Sequence, residues 1–188
     1  MSYRGRASYN RAPNCASRNT KPYIVTLKQN GTGSVLTEDN IEIKYTDIPS
    51  GYAKNGTSGT FNKTTSQNAT ITIGYGGLNT KSSSGTAYDY TMFIKDKGYM
   101  YSNTALDGYY VKSVTATFSS NTGTSGKAGI TLSSTISSSR ISKVSGSVSK
   151  NGTITTSNED TTLKYWNLST TGANVQIVSV VVVYAPIN

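Results

Sequence analysis

Histidine is absent from this sequence of 188 residues, and cysteine occurs once, as Cys15. A chain without imidazole has no histidine general base, no Ser-His or Cys-His nucleophile pair and no histidine ligand for zinc. A single thiol forms neither an internal disulfide nor a thiolate zinc site. We therefore predict a protein that is not an enzyme and that carries no metal or cofactor.

Charged residues are scarce as well. They make up 14% of the sequence, against about a quarter in average globular proteins. The nine carboxylates show no spacing that selects a pair for glycosidase chemistry. Two acidic loops, residues 38–40 and 158–160, lack the ligand periodicity of a dedicated calcium loop. Calcium binding at these loops stays an open alternative without a specific signal.

Long apolar runs are missing too. No segment approaches the roughly 20 apolar residues of a membrane-spanning helix. Residues 1–6 also lack the apolar stretch of a secretory signal peptide. On this basis we expect synthesis and assembly in a cytoplasm, no export by the general secretory route and no membrane partner.

The sequence is rich in Ser, Thr, Asn, Gly and Tyr, with 18 Gly and 14 Tyr against 3 Phe and 1 Trp. This composition favours sheets whose outer faces are hydroxyl-rich rather than ionic. About ten short runs with strand character recur along the chain, weakest at residues 127–132 and 136–148, whereas residues 51–60 have the composition of a loop. The pattern predicts an all-β fold, a two-sheet jelly roll or β-sandwich, over residues 22–188.

Two of these runs carry finer information. In residues 109–118, the core side is assigned to Val111, to either Ser113 or Val114, and to Phe118, which suggests a strand with a slip or bulge. Residues 175–184 have too few polar positions for a strand with one solvent-exposed face. We expect this last strand to be central in its sheet, or covered by another segment or a partner.

Residues 1–21 form a separate basic arm in this interpretation. The arm has five positive charges and no acid, and the remaining residues supply only four of the net charge of +9. Arginine makes forked contacts to carboxylates and phosphates, so an arginine-rich segment indicates contact with a partner. Docking on a neighbouring subunit, a nucleic-acid contact and a solvated tail all fit, and docking is preferred over nucleic acid. The candidate docking residues are Tyr3, Arg4, Arg6, Tyr9, Arg11, Arg18 and Lys21.

Aromatic residues crowd one stretch of the remaining chain. Aromatic rings beside Asn and Asp are typical of sugar-binding sites and equally of protein interfaces, and half-buried sheet residues give the same pattern. The candidate glycan or interface residues are Tyr88, Tyr90, Tyr99, Tyr101, Tyr109, Tyr110 and Trp166.

Two segments resemble a known kind of module. Residues 98–118, Gly-Tyr-Met-Tyr-Ser-Asn-Thr-Ala-Leu-Asp-Gly-Tyr-Tyr-Val-Lys-Ser-Val-Thr-Ala-Thr-Phe, and residues 174–184, Asn-Val-Gln-Ile-Val-Ser-Val-Val-Val-Val-Tyr, resemble strand elements of jelly-roll modules in secreted proteins of Bacteroidetes. Similar folds occur in virion proteins of gut bacteriophages of the crAss-like kind. The resemblance implies a jelly-roll fold, and the missing signal peptide and catalytic partner favour the phage case.

These observations lead to one functional hypothesis and one alternative. The hypothesis is a structural virion protein of a tailed bacteriophage, either a capsid decoration or auxiliary subunit or a head-fibre or fibre-base subunit. It would be located in the virion, dock through its basic arm on the capsid or neighbouring copies, and form a homo-oligomer. The alternative is a carbohydrate-binding or adhesive module that recognises a bacterial surface glycan.

Overall fold

The computed structural model describes residues 36–123 and 125–187, which contain eleven β-strands, one 3₁₀ turn and no α-helix. The candidate arm residues, and residues 22–35 of the predicted sandwich, lie outside these ranges. The elements are β1 (Asp39–Lys44), the 3₁₀ turn (Tyr45–Asp47), β2 (Thr57–Thr64), β3 (Thr70–Lys81), β4 (Ala87–Phe93), β5 (Tyr99–Ser102), β6 (Tyr109–Phe118), β7 (Lys127–Ser133), β8 (Gly146–Ser147), β9 (Thr153–Ser157), β10 (Tyr165–Thr171) and β11 (Val175–Pro186).

Hydrogen bonds join the strands into one path in the order β8-β7-β10-β5-β3-β4-β11-β6-β9, with β1 beside β11 and β2 beside β3. Every pairing is antiparallel. The path folds over on itself, so that β7 and β9 near its two ends lie close together. The chain is therefore all-β with the predicted jelly-roll-like sandwich. Its two layers belong to one nearly closed sheet rather than to two separate sheets.

Strand β3 passes from one layer to the other at Gly77. The residues before it pair with β2 and β5, whereas Leu78, Asn79 and Lys81 after it pair with β4, with Leu78 also opposite Thr57 of β2. Gly77 has a φ of +66°, and a Cβ at this position would overlap the carbonyl oxygen of Lys97. Glycine fits because it has no Cβ and adopts positive φ without strain.

The core fills the space between the layers, and its largest fully buried side chains are Trp166, Tyr184, Phe93 and Phe118. Strand β11 lies in the centre of its layer, since β6 pairs along one of its edges while β4 and β1 share the other. The central position expected from the apolar sequence of β11 is confirmed.

The bulge expected in β6 is also present. Val183 of β11 pairs with Ser113, whereas the next residue, Tyr184, pairs with Val111, which leaves Lys112 as an extra residue in β6. Because of this extra residue, Val111 and Val114 are both completely buried. A regular strand would turn one of them to the outer face.

The outer face of the β6–β9 pair consists of hydroxyl side chains. The hydroxyls of Thr115 and Thr155 hydrogen-bond to each other across the two strands at 2.9 Å. This face is hydroxyl-rich rather than ionic, in agreement with the composition. Its facing pairs are Ser113–Ser157, Thr115–Thr155 and Thr117–Thr153.

Two local expectations were wrong. Strand β2 occupies part of the predicted loop at residues 51–60, although Phe61 is the only large apolar residue among its eight. Conversely, residues 136–148 form a strand only at Gly146–Ser147. The intervening backbone is held by β10 side chains instead: Asn167 Nδ2 donates to the carbonyls of Ser137 and Ser139 at 2.7 and 2.9 Å. The resulting loop covers the outer face of β10.

Candidate functional site

The tyrosines that crowd one stretch of sequence separate into three pairs on three strands. Tyr88 and Tyr90 lie on β4, Tyr99 and Tyr101 on β5, and Tyr109 and Tyr110 on β6. Among the described residues, aromatic rings of different pairs make no stacking contact with one another. The three pairs therefore have to be considered as three separate places on the fold.

The β5 pair has a structural partner on the neighbouring strand. Tyr101 and Tyr99 stand opposite Gly74 and Gly76 of β3, and a Cβ on either glycine would overlap the opposing tyrosine ring. The ring centroids are 6.1 Å apart with an interplanar angle of 23°. Each ring thus occupies the space above a glycine, an arrangement that stabilises glycine-containing strands.

Tyr109 and Trp166 belong to the core between the layers, whereas Tyr110 is buried outside that core cluster. Tyr109 and Tyr110 are 6% and 7% exposed, and Trp166 is completely buried with its Nε1 donating to the hydroxyl of Tyr184 at 3.4 Å. Trp166 is therefore a core residue and not a surface aromatic. The lone indole of the sequence fills space between the layers, which is the commonest use of so large a side chain.

At the edge of β6 a small polar cluster surrounds Tyr110. Its hydroxyl donates to Glu159 at 3.3 Å, and burial together with the negative charge of Glu159 raises the pKa of Tyr110. Lys112 pairs with Glu38, whose hydrogen bond and charge raise the pKa of the lysine. Each group in this cluster already has a partner within the protein.

The β4 pair differs from the others because it stands beside a cavity. The rings of Tyr88 and Tyr90 are stacked, with centroids 4.7 Å apart and an interplanar angle of 11°. Burial first, then the proximity of Tyr88 and Asp89, raises the pKa of Tyr90. Tyr88 and Tyr45 of the 3₁₀ turn both line a shallow cavity of about 170 Å³.

The cavity forms where β1 and β4 separate along the edge of β11. Strand β4 pairs with β11 only as far as Thr91, and β1 takes over the same edge from Lys44 onwards. The 3₁₀ turn follows β1 directly and contacts β4. The remaining lining residues come from the turn, the following loop, β3 and the first residue of β4: they are Thr46, Ile48, Ser50, Thr80 and Ala87.

The walls of the cavity are held by contacts outside it. Asp47 accepts hydrogen bonds from the backbone N–H of Lys44 at 2.7 Å and from Lys63 Nζ at 2.6 Å, which holds the turn that carries Tyr45. Thr80 accepts from the backbone N–H of Gly51 at 2.9 Å, which ties the following loop to β3. The cavity is therefore defined by tertiary structure and not by one flexible loop.

The chemistry of the cavity is apolar and hydroxylic. The lining residues offer two tyrosine hydroxyls, three Ser or Thr hydroxyls and the side chain of Ile48, and none of the lining residues is a carboxylate, lysine or arginine. Such a surface suits an uncharged ligand with both apolar and hydroxylic faces.

The acidic loops that left calcium binding open use their carboxylates within the protein. Burial alone would raise the pKa of Asp39, but hydrogen bonds from Thr65, Ser66 and the backbone of Asn40 and Gln67 outweigh it and lower the pKa. The Ser66 hydroxyl donates to Asp39 Oδ1 at 2.7 Å. Asp39 is 1% exposed and fixes the turn between β2 and β3.

The second loop behaves in the same way. The backbone N–H and the hydroxyl of Thr162 donate to Asp160 Oδ1 at 2.9 and 2.7 Å and lower the pKa of this carboxyl. Within residues 36–123 and 125–187, no three His, Cys, Asp or Glu side chains come together as metal ligands would.

The sequence pointed to Tyr88 and Tyr90 but not to the residues that complete the cavity. Tyr45, Ile48 and Thr80 are separated from Tyr88 by eight to forty-three positions. The only local signal was the turn composition after β1, Asp47-Ile48-Pro49-Ser50-Gly51, which marks a loop without assigning it a function.

The described part of the chain contains no helix with the length and apolarity needed to cross a membrane. No protein-family model matches the sequence, and no curated protein matches it significantly.

Proposed function

We propose that the chain is a structural virion protein of a tailed bacteriophage, a capsid decoration, auxiliary or fibre-base subunit that docks through residues 1–21. The observation that carries this proposal is the division of charge along the chain. Five of the eighteen basic residues and none of the nine acids fall within residues 1–21. The following sandwich has the low-charge, hydroxyl-lined outer face described for β6 and β9.

The described residues contain a buried apolar cluster that extends from Ile41 to Tyr184. The proposal assigns the contact with a partner to the basic residues 1–21. Arginine suits that task, because its guanidinium group binds carboxylates in a fixed, forked geometry.

The proposal is tested with charge-matched variants of the full chain. In the first variant the four arm arginines Arg4, Arg6, Arg11 and Arg18 are replaced by serine. In the second, four exposed lysines of the sandwich, Lys54, Lys127, Lys143 and Lys150, are replaced by serine. Both lose four positive charges. We expect phage particles assembled in the host to incorporate the second variant normally and to exclude the first, as measured by quantitative mass spectrometry of gradient-purified virions.

Three results would argue against a docked virion subunit. The unmodified chain could be missing from purified particles, which removes the proposal altogether. Both variants could be lost equally, which would mean that net charge alone drives association. Normal incorporation of the arginine variant would show that the arm is not the docking element.

A second candidate function, the recognition of a surface glycan, is supported by one specific observation. The cavity between Tyr45 and Tyr88 combines aromatic walls with hydroxyls and contains no charged side chain. A virion surface subunit and a glycan-binding module are compatible roles, because the docking arm and the cavity belong to different segments of the chain. The glycan function is tested by screening the full chain against immobilised bacterial glycans.

A further inference from the structure

We infer that the cavity between Tyr45 and Tyr88 binds a single ring of an uncharged saccharide. This inference rests on the second proposed function and names the site, the ligand class and the residues that contact it. Three features of the cavity carry it: the placement of the two tyrosines, the kind of polar groups present, and the size of the space.

Each of the two lining tyrosines is held by neighbouring residues of the protein. Tyr90 stacks against Tyr88 at 4.7 Å and 11°, so the orientation of the Tyr88 ring is supported from one side before any ligand arrives. Tyr45 belongs to the 3₁₀ turn that the hydrogen bonds of Asp47 with Lys44 and Lys63 hold. Walls held in place in advance reduce the ordering cost of binding.

The polar groups select the class of ligand. Hydroxyls of Thr46, Ser50 and Thr80 can both donate and accept, as the hydroxyls of a sugar do. The lining offers no cation for a carboxylate, sulfate or phosphate and no carboxylate for an amine. An anionic sugar would therefore lose hydration without gaining an ionic partner, which disfavours it against a neutral one.

The size of the space limits the ligand to a small group. A volume of about 170 Å³ lies below the range of about 300–1,000 Å³ that is typical of sites for drug-sized ligands. One pyranose ring has an apolar face for an aromatic wall and a hydroxyl rim for the Ser and Thr side chains. The rest of a longer glycan would extend along the surface, which the shallow shape of the cavity permits.

The half-buried tyrosine pair of β5, Tyr99 and Tyr101, is a less suitable site. The rings of Tyr99 and Tyr101 are directed onto Gly76 and Gly74, so one face of each ring is already used by the sheet. Their contacts account for their position without a ligand.

The test uses the full chain and soluble neutral disaccharides, namely maltose, cellobiose, mannobiose and diacetylchitobiose, with N-acetylneuraminic acid and galacturonic acid as charged probes. Saturation-transfer NMR identifies binders, and titration gives their affinity. We expect at least one neutral disaccharide and neither charged sugar to bind. Amide shifts should concentrate in residues 45–50 and 80–90.

Two variants address the site in opposite ways. Tyr88→Ala removes one wall, and Ala87→Phe places a bulky ring in the cavity; each should weaken binding about tenfold or more. Tyr165→Ala, a half-buried tyrosine of β10 that does not line the cavity, is the matched control and should bind like the unmodified chain. Circular dichroism melts establish that all three variants are folded.

The outcomes separate the site from the function. If the unmodified chain binds none of the probes and no immobilised bacterial glycan, the glycan function fails and the inference with it. If a neutral sugar binds but Tyr88→Ala and Ala87→Phe leave its affinity unchanged, the function stands and the site is wrong. Preferred binding of the charged sugars would overturn the ligand class.

Discussion

Strands β4 and β5 pair with the same strand, β3, on either side of Gly77, and each carries two outward tyrosines spaced two residues apart. On β5 the rings cover glycines of β3. On β4 the rings stack on each other beside an open cavity. The same local sequence feature therefore serves the sheet in one place and leaves a surface for a ligand in the other. The neighbouring strand decides between the two uses.

The largest effect should come from a change at Gly77, which separates the part of β3 that pairs with β5 from the part that pairs with β4. Gly77→Ala forces a positive φ on alanine and places its Cβ against the backbone of Lys97, and we expect a loss of about 3 kcal/mol in the free energy of unfolding. Urea denaturation measures this loss.

Gly85→Ala is the control: Gly85 has a φ of +86° but no neighbouring atom within 4 Å of a Cβ. That variant should lose about 1 kcal/mol from φ strain alone. Equal losses in the two variants would show that the crowding at Gly77 is unimportant.

The next largest effect is expected for the β5 pair, Tyr99 and Tyr101, whose rings lie over glycines of β3. Tyr101→Ala should cost about 2 kcal/mol, because the ring leaves its place over Gly74 and uncovers the sheet. A double-mutant cycle sharpens this prediction. Gly74→Ala should destabilise the unmodified chain but stabilise Tyr101→Ala by about 0.5 kcal/mol, since alanine is the better strand residue once the ring is gone. If Gly74→Ala has the same sign in both backgrounds, the ring and the glycine are not coupled.

Much of the fold could be predicted from the sequence because most strands bury one face. The spacing of the core candidates in β6 and the apolar run of β11 identified these two strands, and the same spacing indicated the β6 bulge. Strand β2 was missed because it is mostly exposed and polar. Residues 136–148 were assigned wrongly because Asn167 and Ser169, which lie far away in sequence, bind their backbone.

The candidate site was only half predictable for the same physical reason. Tyr88 and Tyr90 were two of the seven candidate aromatics, but the sequence could not show that Tyr101 lies over Gly74 while Tyr88 lines a cavity. That difference depends on strand register and on the turn at Tyr45–Asp47, which meets β4 only in the folded chain. Trp166 shows the opposite error, because a lone indole has the same composition signal in a core as at a binding site.

A smaller effect is expected from the cavity pair. Tyr88→Ala removes a half-buried ring whose aromatic contact is Tyr90, so we expect a loss of about 1 kcal/mol, clearly less than for Tyr101→Ala. The two variants delete the same side chain from outward strand positions, and urea denaturation of both under identical conditions gives the comparison directly. A loss at Tyr88 equal to or greater than that at Tyr101 would mean that the β4 pair is also a structural element.

The smallest effect concerns the titration of Tyr90. Its folded-state pKa is raised by burial and by the neighbouring Tyr88 and Asp89, so the folded chain holds this proton more tightly than the unfolded chain does. The resulting stabilisation is complete below the unfolded tyrosine pKa of about 10 and is lost as pH rises from there through the folded pKa. Tyr90→Phe should therefore flatten the alkaline decline in unfolding free energy slightly, measured between pH 9 and about pH 11. The buried Tyr184, whose pKa is also raised, remains in both proteins and contributes equally to their decline. An unchanged slope would show that Tyr90 titrates like a free tyrosine. Tyr90 would then be less buried, and less tightly stacked on Tyr88, than the structure shows.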